Sequence, residues 1–210
     1  MQSFFASMTP WDQPDGSLHV YVLPDDEAAD RLEDLQSRLA GVPNLPVMPR
    51  AWLHFTVNRL AQFDDLSMAE LTRLGDALTV ELAGVPAFDL EVGAPEVHDV
   101  AVECVAGSTS GWESLVDAVR RAALATFGGT MPDRPYAPHV TLAYATGEVS
   151  DDEVRGRLTG AAPVGRMRVA TAHLLSVTVR PELGWFDFIE LANWSLPTTA
   201  PQAGLEPATG

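Results

Sequence analysis

The chain has 210 residues, of which 46% are apolar and 20% charged, a balance typical of a globular protein. Asp and Glu outnumber Lys and Arg by 29 to 13, so the formal net charge is −16 at pH 7. Because contacts with phosphates supply most of the non-specific affinity for nucleic acids, this charge argues against a protein that covers a long nucleic-acid tract.

The sequence also lacks the features of membrane and disulfide-rich proteins. No apolar run reaches the roughly 18 residues that a membrane span requires, and the start of the chain lacks the basic and apolar regions of a signal peptide. We therefore expect a cytoplasmic protein that does not associate with membranes. The single cysteine, Cys104, excludes an intramolecular disulfide and a cysteine-rich zinc site.

Hydrophobic periodicity, prolines and glycines divide the chain into strands and helices. The predicted elements, in chain order, are an arm at 1–17, a strand at 18–23, a helix at 25–40, a strand at 52–58, a helix from 68 to 83, strands at 88–92 and 100–105, a helix from 110 to 127, a strand at 139–145, a short helix from 150, and long strands at 167–179 and 185–196. Because several of these strands follow one another directly, the order predicts an α+β fold.

Three Ser-x-x-Glu patterns, beginning at Ser67, Ser110 and Ser150, mark the expected helix starts. In such a capping box the serine oxygen and the glutamate carboxylate each accept a hydrogen bond from the other residue's backbone amide. After the last strand, residues 197–210 are rich in Pro, Thr, Ala and Gly, and we expect this tail to be disordered. The folded domain is therefore expected over residues 18–196.

One pattern occurs twice along the chain. Leu53-His54-Phe55-Thr56-Val57 and Pro138-His139-Val140-Thr141-Leu142 both read His-x-Thr-x with apolar residues at x, and the two histidines are 85 positions apart. Each copy lies in a predicted strand that follows a helix and a proline-containing loop. Two such matches at similar places in the chain point to a shared role.

Strand alternation predicts which side chains of each copy share a face, because residues two apart point the same way. His54 and Thr56 are expected on one face together with Trp52 and Asn58. The apolar residues between them are expected to face a core, which would hold the histidine and threonine on a firmly packed strand.

The second copy gives the same expectation. His139 and Thr141 are predicted on one face, and Tyr144 on the opposite face with Val140 and Leu142. If the two strands face each other across a groove, two imidazoles and two hydroxyls surround one space. The alternative is that both histidines are packed and hydrogen-bonded within a core.

Two imidazoles and two hydroxyls in one space suit general acid–base catalysis. Because histidine titrates near pH 6.5, a neutral and a protonated imidazole can coexist near neutral pH. The neutral ring can take a proton from an attacking hydroxyl or water, while the protonated ring gives one to a leaving oxygen. Threonine hydroxyls can donate to the non-bridging oxygens of a phosphate. This set of groups suits phosphodiester transfer through a cyclic phosphate.

Other chemistries have less support in the sequence. The residues beside the histidines are threonines rather than carboxylates or cysteines, and no His-Glu-x-x-His spacing is present, which argues against a metal site. The sequence has no Gly-x-Ser-x-Gly elbow of a serine hydrolase and no Gly-x-x-x-x-Gly-Lys phosphate loop. We therefore expect a reaction that uses no metal and no cofactor.

The two motifs, above all Tyr136-Ala137-Pro138-His139-Val140-Thr141-Leu142, resemble those of the two-histidine (2H) phosphoesterase superfamily. Within it, the sequence is most similar to the branch of 2′-5′ RNA ligases and cyclic phosphodiesterases. The resemblance implies two pseudo-symmetric lobes, each a small mixed or antiparallel sheet with outer helices, around a central groove. By motif match, it implies that His54 and His139 are the acid–base pair and that Thr56 and Thr141 hold the phosphate.

The resemblance also implies a reaction. This is hydrolysis of a 2′,3′-cyclic phosphate, on a small nucleotide or an RNA 3′ end, or the reversible 2′-5′ joining of RNA ends. A catalytically inert module that binds a nucleotide or phosphate in the same groove is the alternative from another class. We expect the protein to be a monomer.

Further residues are candidate substrate contacts. They are Tyr21, Asn58, Arg59, Arg134 and Tyr136. Simple alternation places Arg59 on the core side of its strand, so it can reach the groove only through a bulge or a strand end. Arg134 and Tyr136 precede the second motif and are expected at its rim.

Overall fold

The computed structural model describes residues 1–11, 13–129 and 133–198. From residue 199 onward, the expected disordered tail lies outside the described residues. The described elements, in chain order, are α1 (Phe4–Ser7), β1 (Ser17–Val22), α2 (Asp26–Leu39), β2 (Phe55–Gln62), α3 (Met68–Leu82), β3 (Phe88–Val97), β4 (Ala101–Ala106), α4 (Ser110–Phe127), β5 (His139–Tyr144), α5 (Asp151–Leu158), β6 (Gly165–Val169), β7 (Thr171–Arg180) and β8 (Trp185–Ser195). None of the helices in the described part of the chain is long and apolar enough to cross a membrane.

The strands form one antiparallel sheet in the order β6-β3-β4-β5-β2-β1-β7-β8. The α+β class predicted from the sequence is therefore confirmed. The two small sheets expected from the resemblance are the halves of this one sheet, with four strands each. They are continuous because Phe55 of β2 pairs with Val140 of β5 at the centre.

The two halves have related connections. In one half α2 joins the antiparallel neighbours β1 and β2, and in the other half α4 joins β4 and β5. Each helix also contacts strands of the opposite half, since α2 contacts β5 and β6 while α4 contacts β2. The buried stripe of each helix, which includes Leu32 and Leu39 of α2 and Trp112 and Leu115 of α4, thus helps to hold the halves together.

Two of the three predicted capping positions are confirmed. Ser67 forms a complete capping box with Glu70, and the Ser150 hydroxyl accepts from the Glu153 amide. The prediction at Ser110 is wrong by one residue. Thr109 is the N-cap of α4, and its hydroxyl accepts from the Trp112 amide at 3.2 Å.

Two strand boundaries also differ from the prediction. The strand expected at 52–58 begins at Phe55, because residues Arg50–Trp52 form a 3-10 turn after Pro49. The single strand expected at 167–179 is two strands, β6 and β7, separated at Ala170. The break is required because β6 pairs with β3 at one edge of the sheet, whereas β7 pairs with β1 and β8 in the other half.

Candidate active site

The central pair of strands brings the two His-x-Thr-x motifs together. Because β2 and β5 are antiparallel and Phe55 pairs with Val140, the register places His54 opposite Thr141, and likewise Thr56 opposite His139. The two histidines interact electrostatically, since charge on His139 contributes to the pKa of His54. The expected juxtaposition of the two motifs is therefore present at the centre of the sheet.

The His54 ring is fixed on two sides. Its Nδ1 lies 2.6 Å from the carbonyl oxygen of Trp52, and its ring stacks on that of Tyr21 with centroids 4.0 Å apart and planes within 7°. Because a carbonyl only accepts hydrogen bonds, Nδ1 carries the hydrogen. In the neutral ring Nε2 is therefore the atom that can accept a proton.

His139 is held in the same way. Its Nδ1 donates to the carbonyl of Ala137 at 3.1 Å, and its ring stacks on Tyr136 at 4.1 Å with planes within 10°. Each motif thus has a carbonyl two residues before the histidine, a tyrosine ring against its face, and Nε2 as the remaining ring nitrogen. In both copies Nε2 is therefore the ring nitrogen that these hydrogen bonds leave available.

Burial sets the protonation state of His54, which is only 9% exposed. Loss of hydration lowers its pKa to about 4, and charge on His139 adds to the depression. The ring is therefore neutral at neutral pH. His19, which lies two residues before Tyr21 on β1, also has a pKa well below the usual value, because of its burial and the charges of Arg59 and His54.

The two threonines have different neighbours. Thr56 of β2 pairs with Tyr21 of the neighbouring strand β1. Tyr21 is uncharged, and burial raises the pKa of its phenol. Thr141 pairs across β4 with Glu103, and its hydroxyl donates to the Glu103 carboxylate at 3.3 Å. In the described part of the chain, no group of three or more His, Cys, Asp or Glu residues is arranged to hold a metal ion.

A bulge in β2 changes the faces that simple alternation predicts. Thr56 pairs with Tyr21, Asn58 with Val20 and Arg59 with His19, so β2 advances two residues where β1 advances one. Arg59 therefore shares the face of Thr56, and this bulge is one of the two features that the sequence analysis required for Arg59 to reach the groove. Its guanidinium lies over the Trp11 ring at 4.6 Å, and its Nε donates to Ser17 at 3.1 Å.

The same bulge turns Asn58 away from the histidines, so its expected position beside them is wrong. Asn58 is 1% exposed, and its side-chain oxygen accepts a hydrogen bond at 3.1 Å from Arg120 of α4. Its amide donates to the Arg59 carbonyl at 2.7 Å. Asn58 thus links β2 to the helix layer rather than to the site.

An equivalent bulge in β5 corrects the expectation for Tyr144. Glu103 pairs with Thr141 and Val102 with Ala143, so Leu142 is the additional residue, and Tyr144 pairs with Ala101. Tyr144 consequently lies on the face of Thr141. Burial raises its pKa to about 12.

The two candidates that precede the second motif, Tyr136 and Arg134, have different contacts. Tyr136 stacks on His139 and remains 61% exposed, so it forms the rim that the sequence predicted. Arg134 instead pairs with Glu113 and Asp117 on the outer side of α4, at 2.6 and 2.5 Å. These two carboxylates hold its guanidinium on the helix, beside a cavity that Arg134 lines together with Tyr136.

Sequence reasoning missed Glu103 and the role of Phe188. Glu103 is the one charged residue in the apolar strand Ala101–Ala106 and is 8% exposed, a burial that its place in an apolar run could have signalled. Phe188 of β8 packs edge-to-face on the rings of Tyr21, His54 and Trp52. No local signal places Phe188 there, because the contact depends on the order of strands in the sheet.

The neutral state of His54 predicts a pH-dependent stability. Between pH 6.5 and about 4 the unfolded state binds a proton at this residue and the folded state does not, so the free energy of unfolding falls as pH falls through this range. The shift corresponds to at most about 3 kcal/mol, and His19 acts in the same direction. Urea unfolding between pH 7 and 4.5 measures the loss. His54→Gln should lose less stability than the wild type over this range, and equal slopes would contradict the burial of an uncharged imidazole.

A family model described as the 2′-5′ RNA ligase superfamily matches residues 24–180, about three quarters of the chain. The chain belongs to this superfamily. Both histidine motifs lie inside the matched region. The resemblance to the two-histidine phosphoesterases, which rested on the same motifs, is thereby confirmed.

Solved structures of the superfamily have the same fold. TT0787 of Thermus thermophilus superposes with a TM-score of 0.69 at 20% identity, covering 88% of this chain and all of that one. Escherichia coli LigT in its apo form gives a TM-score of 0.65 at 17% identity, covering 89% of this chain and all of LigT. No curated protein sequence matches the chain. At these identities the likeness establishes the fold, and membership of the superfamily places the chain among phosphodiesterases and RNA ligase-like enzymes.

Proposed function

We propose that the protein hydrolyses a 2′,3′-cyclic phosphate, on a small nucleotide or an RNA 3′ end, to the 2′-phosphate without a metal or cofactor. The observation that carries this proposal is the pair of histidines at the central strand pair, each with Nδ1 bound to a carbonyl and Nε2 left for proton transfer. Two such rings supply both the base and the acid that the reaction needs.

The different burial of the two rings favours a division of labour between them. His54 is neutral at neutral pH, so its Nε2 takes a proton from the attacking water as the water oxygen bonds to phosphorus. His139, which is less buried, donates a proton from Nε2 to the 3′ oxygen as the phosphorus–oxygen bond to it breaks. The two rings end with exchanged protonation states, and proton exchange with solvent restores them.

Groups beside the histidines are suited to the charge that grows on the phosphate oxygens. The hydroxyls of Thr56 and Thr141 flank the two rings in the register of the central pair, and hydroxyl donors stabilise such charge. Arg59 lies on the same face as Thr56 because of the β2 bulge. We assign Arg59 to the binding of the phosphate or of an adjacent anionic group.

Charge and relatives both support a small substrate. The net charge of −16 disfavours a long RNA. Structures of Escherichia coli LigT contain 3′-AMP, phosphate, ATP and NADP+ in separate complexes. We extend the binding of small nucleotides to this chain as part of the proposal.

The proposal is tested with 2′,3′-cyclic AMP as substrate in the presence of EDTA. We expect turnover to 2′-AMP, which chromatography separates from 3′-AMP. Joining of RNAs that end in a 2′,3′-cyclic phosphate and a 5′-hydroxyl, with no hydrolysis, would instead support a ligase. Binding of nucleotides with no turnover of any cyclic phosphate would support an inert binding module, and either result contradicts the proposal.

Substitution of Asn58 tests whether this residue stabilises the fold without contacting the substrate. Asn58→Ala removes an acceptor of Arg120 and should lower the free energy of unfolding by about 1–3 kcal/mol, while the folded variant keeps the kcat/KM of the wild type. Urea titration and the 2′,3′-cyclic AMP assay measure the two quantities. Asn58→Asp keeps the acceptor of Arg120 but loses the amide that donates to the Arg59 carbonyl, so it should also lose stability. A large loss of kcat/KM in the folded fraction of either variant would show that the side chain contacts substrate.

A further inference from the structure

A carboxylate lies inside the proposed phosphate site. Glu103 of β4 is 8% exposed and pairs directly with Thr141 across the sheet. One carboxylate oxygen accepts from the Thr141 hydroxyl at 3.3 Å, and the other accepts from the Tyr136 phenol at 3.1 Å. Glu103 therefore contacts both the hydroxyl assigned to the phosphate and the tyrosine that stacks on His139.

This carboxylate breaks the symmetry between the two halves. The equivalent place in the other half, opposite Thr56, is occupied by the uncharged Tyr21. Among the described residues, the basic group that lies within ion-pair distance of Glu103 is the His98 imidazole, whose Nε2 is 3.9 Å away and which is 44% exposed. The charge of Glu103 thus faces the site on the side of His139 with no arginine paired to it in this part of the chain.

A phosphate bound between the histidines would meet this charge. The single hydroxyl proton of Thr141 can be donated to Glu103 or to a phosphate oxygen, but not to both. The electrostatic cost of the carboxylate rises with the charge of the ligand. A cyclic phosphodiester carries one negative charge, whereas a phosphomonoester carries nearly two above its second pKa of about 6.

We propose that Glu103 is a specificity-determining residue that favours the monoanionic cyclic phosphodiester over the dianionic monoester. The inference rests on the proposed function, in which the first is the substrate and the second the product. Its consequence is weak product inhibition, because the product gains the charge that Glu103 repels. The same residue also positions Tyr136 through the phenol hydrogen bond.

The test compares Glu103→Gln with a matched control. Glutamine keeps the size of the side chain but removes the charge. Its oxygen can accept from one of the two hydroxyls, and its NH2 group can donate to the oxygen of the other. Glu96 of β3 pairs with Glu103 across the sheet and lies 3.8 Å from the same His98 nitrogen, yet it is 63% exposed and bonds neither Thr141 nor Tyr136. Glu96→Gln therefore removes a neighbouring charge outside the site.

We expect Glu103→Gln to lower the ratio of Ki for 2′-AMP to KM for 2′,3′-cyclic AMP at pH 8 by about tenfold, the effect of one unit of ligand charge in a partly solvated site. Glu96→Gln should leave the ratio close to that of the wild type. An unchanged ratio in Glu103→Gln, or an equal change in both variants, overturns the proposal.

Two further measurements distinguish a failure of the Glu103 proposal from a failure of the proposed function and from unfolding of the variant. If the wild type hydrolyses no cyclic phosphate, the proposed function fails, but titration calorimetry with inorganic phosphate at pH 8 still tests whether Glu103→Gln binds a dianion more tightly. If Glu103→Gln does not fold, Glu103→Met replaces it. If both variants unfold, the carboxylate is structural and the proposal is wrong.

Discussion

Replacement of His54 or His139 by alanine is expected to lower kcat/KM for 2′,3′-cyclic AMP by roughly 10²–10⁴-fold in each case, the usual contribution of a general acid or base. Each substitution removes one Nε2 that the fold holds beside the site. The loss should appear in kcat more than in KM, because proton transfer acts in the transition state and not in binding. Single-turnover hydrolysis measures it without interference from product release.

The control for this experiment must separate chemistry from packing. His54→Gln and His139→Gln preserve much of the side-chain volume and should be as inactive as the alanine variants while unfolding at urea concentrations closer to the wild type. Free imidazole should restore part of the activity to the alanine variants, because each leaves a space beside its tyrosine ring. The double variant should lose less than the product of the two single losses, since the rings act in the same step. Full activity in either alanine variant would contradict the paired mechanism.

The motif and the fold class can be predicted from the sequence alone because both depend on local periodicity. The repeated His-x-Thr-x pattern places its polar residues on one strand face, and the apolar positions Leu53 and Phe55 are buried as alternation requires. Helix starts at Ser67 and Ser150 follow from capping chemistry that acts within four residues. Each of these features is decided by near neighbours in the chain.

The sheet face on which the side chains after each motif lie depends on the pairing between strands, which a single sequence does not encode locally. The bulges in β2 and β5 bring Arg59 and Tyr144 to the site face and turn Asn58 to the helix layer. A bulge is set by register against the neighbouring strand, so strict alternation fails after each threonine. Both copies fail at the same place, which indicates that the bulges belong to the repeated design of the two halves.

Distant partners also decide which charged residues reach the site. Arg134 precedes the second motif, and the carboxylates of Glu113 and Asp117 on α4 hold its guanidinium on the helix. Glu103 enters the site from β4, 36 positions before His139, because β4 pairs with β5. Neither contact can be inferred without the order of strands in the sheet.

Phe55→Ala is expected to lower the free energy of unfolding by about 3–5 kcal/mol, the usual cost of truncating a buried phenylalanine. Phe55 is fully buried and pairs with Val140 at the only point where the ladder joins β2 to β5 among the described residues. For a chain of this size the loss corresponds to a fall in Tm of about 6–20 °C. Thermal unfolding followed by circular dichroism measures it.

The same substitution should also reduce activity in the folded protein, and this separates Phe55 from an ordinary core residue. Phe55 lies between His54 and Thr56 and faces the core, so it fixes the strand from which both side chains reach the site. A cavity beneath this strand loosens the distance between the two Nε2 atoms, and catalysis depends steeply on such distances. Phe55→Leu, which refills most of the space, should recover most of both losses.

Phe127→Ala, at the partly buried end of α4, should cost less stability and leave kcat unchanged. Equal effects of the Phe55 and Phe127 substitutions on kcat would show that the junction between the halves does not position the histidines.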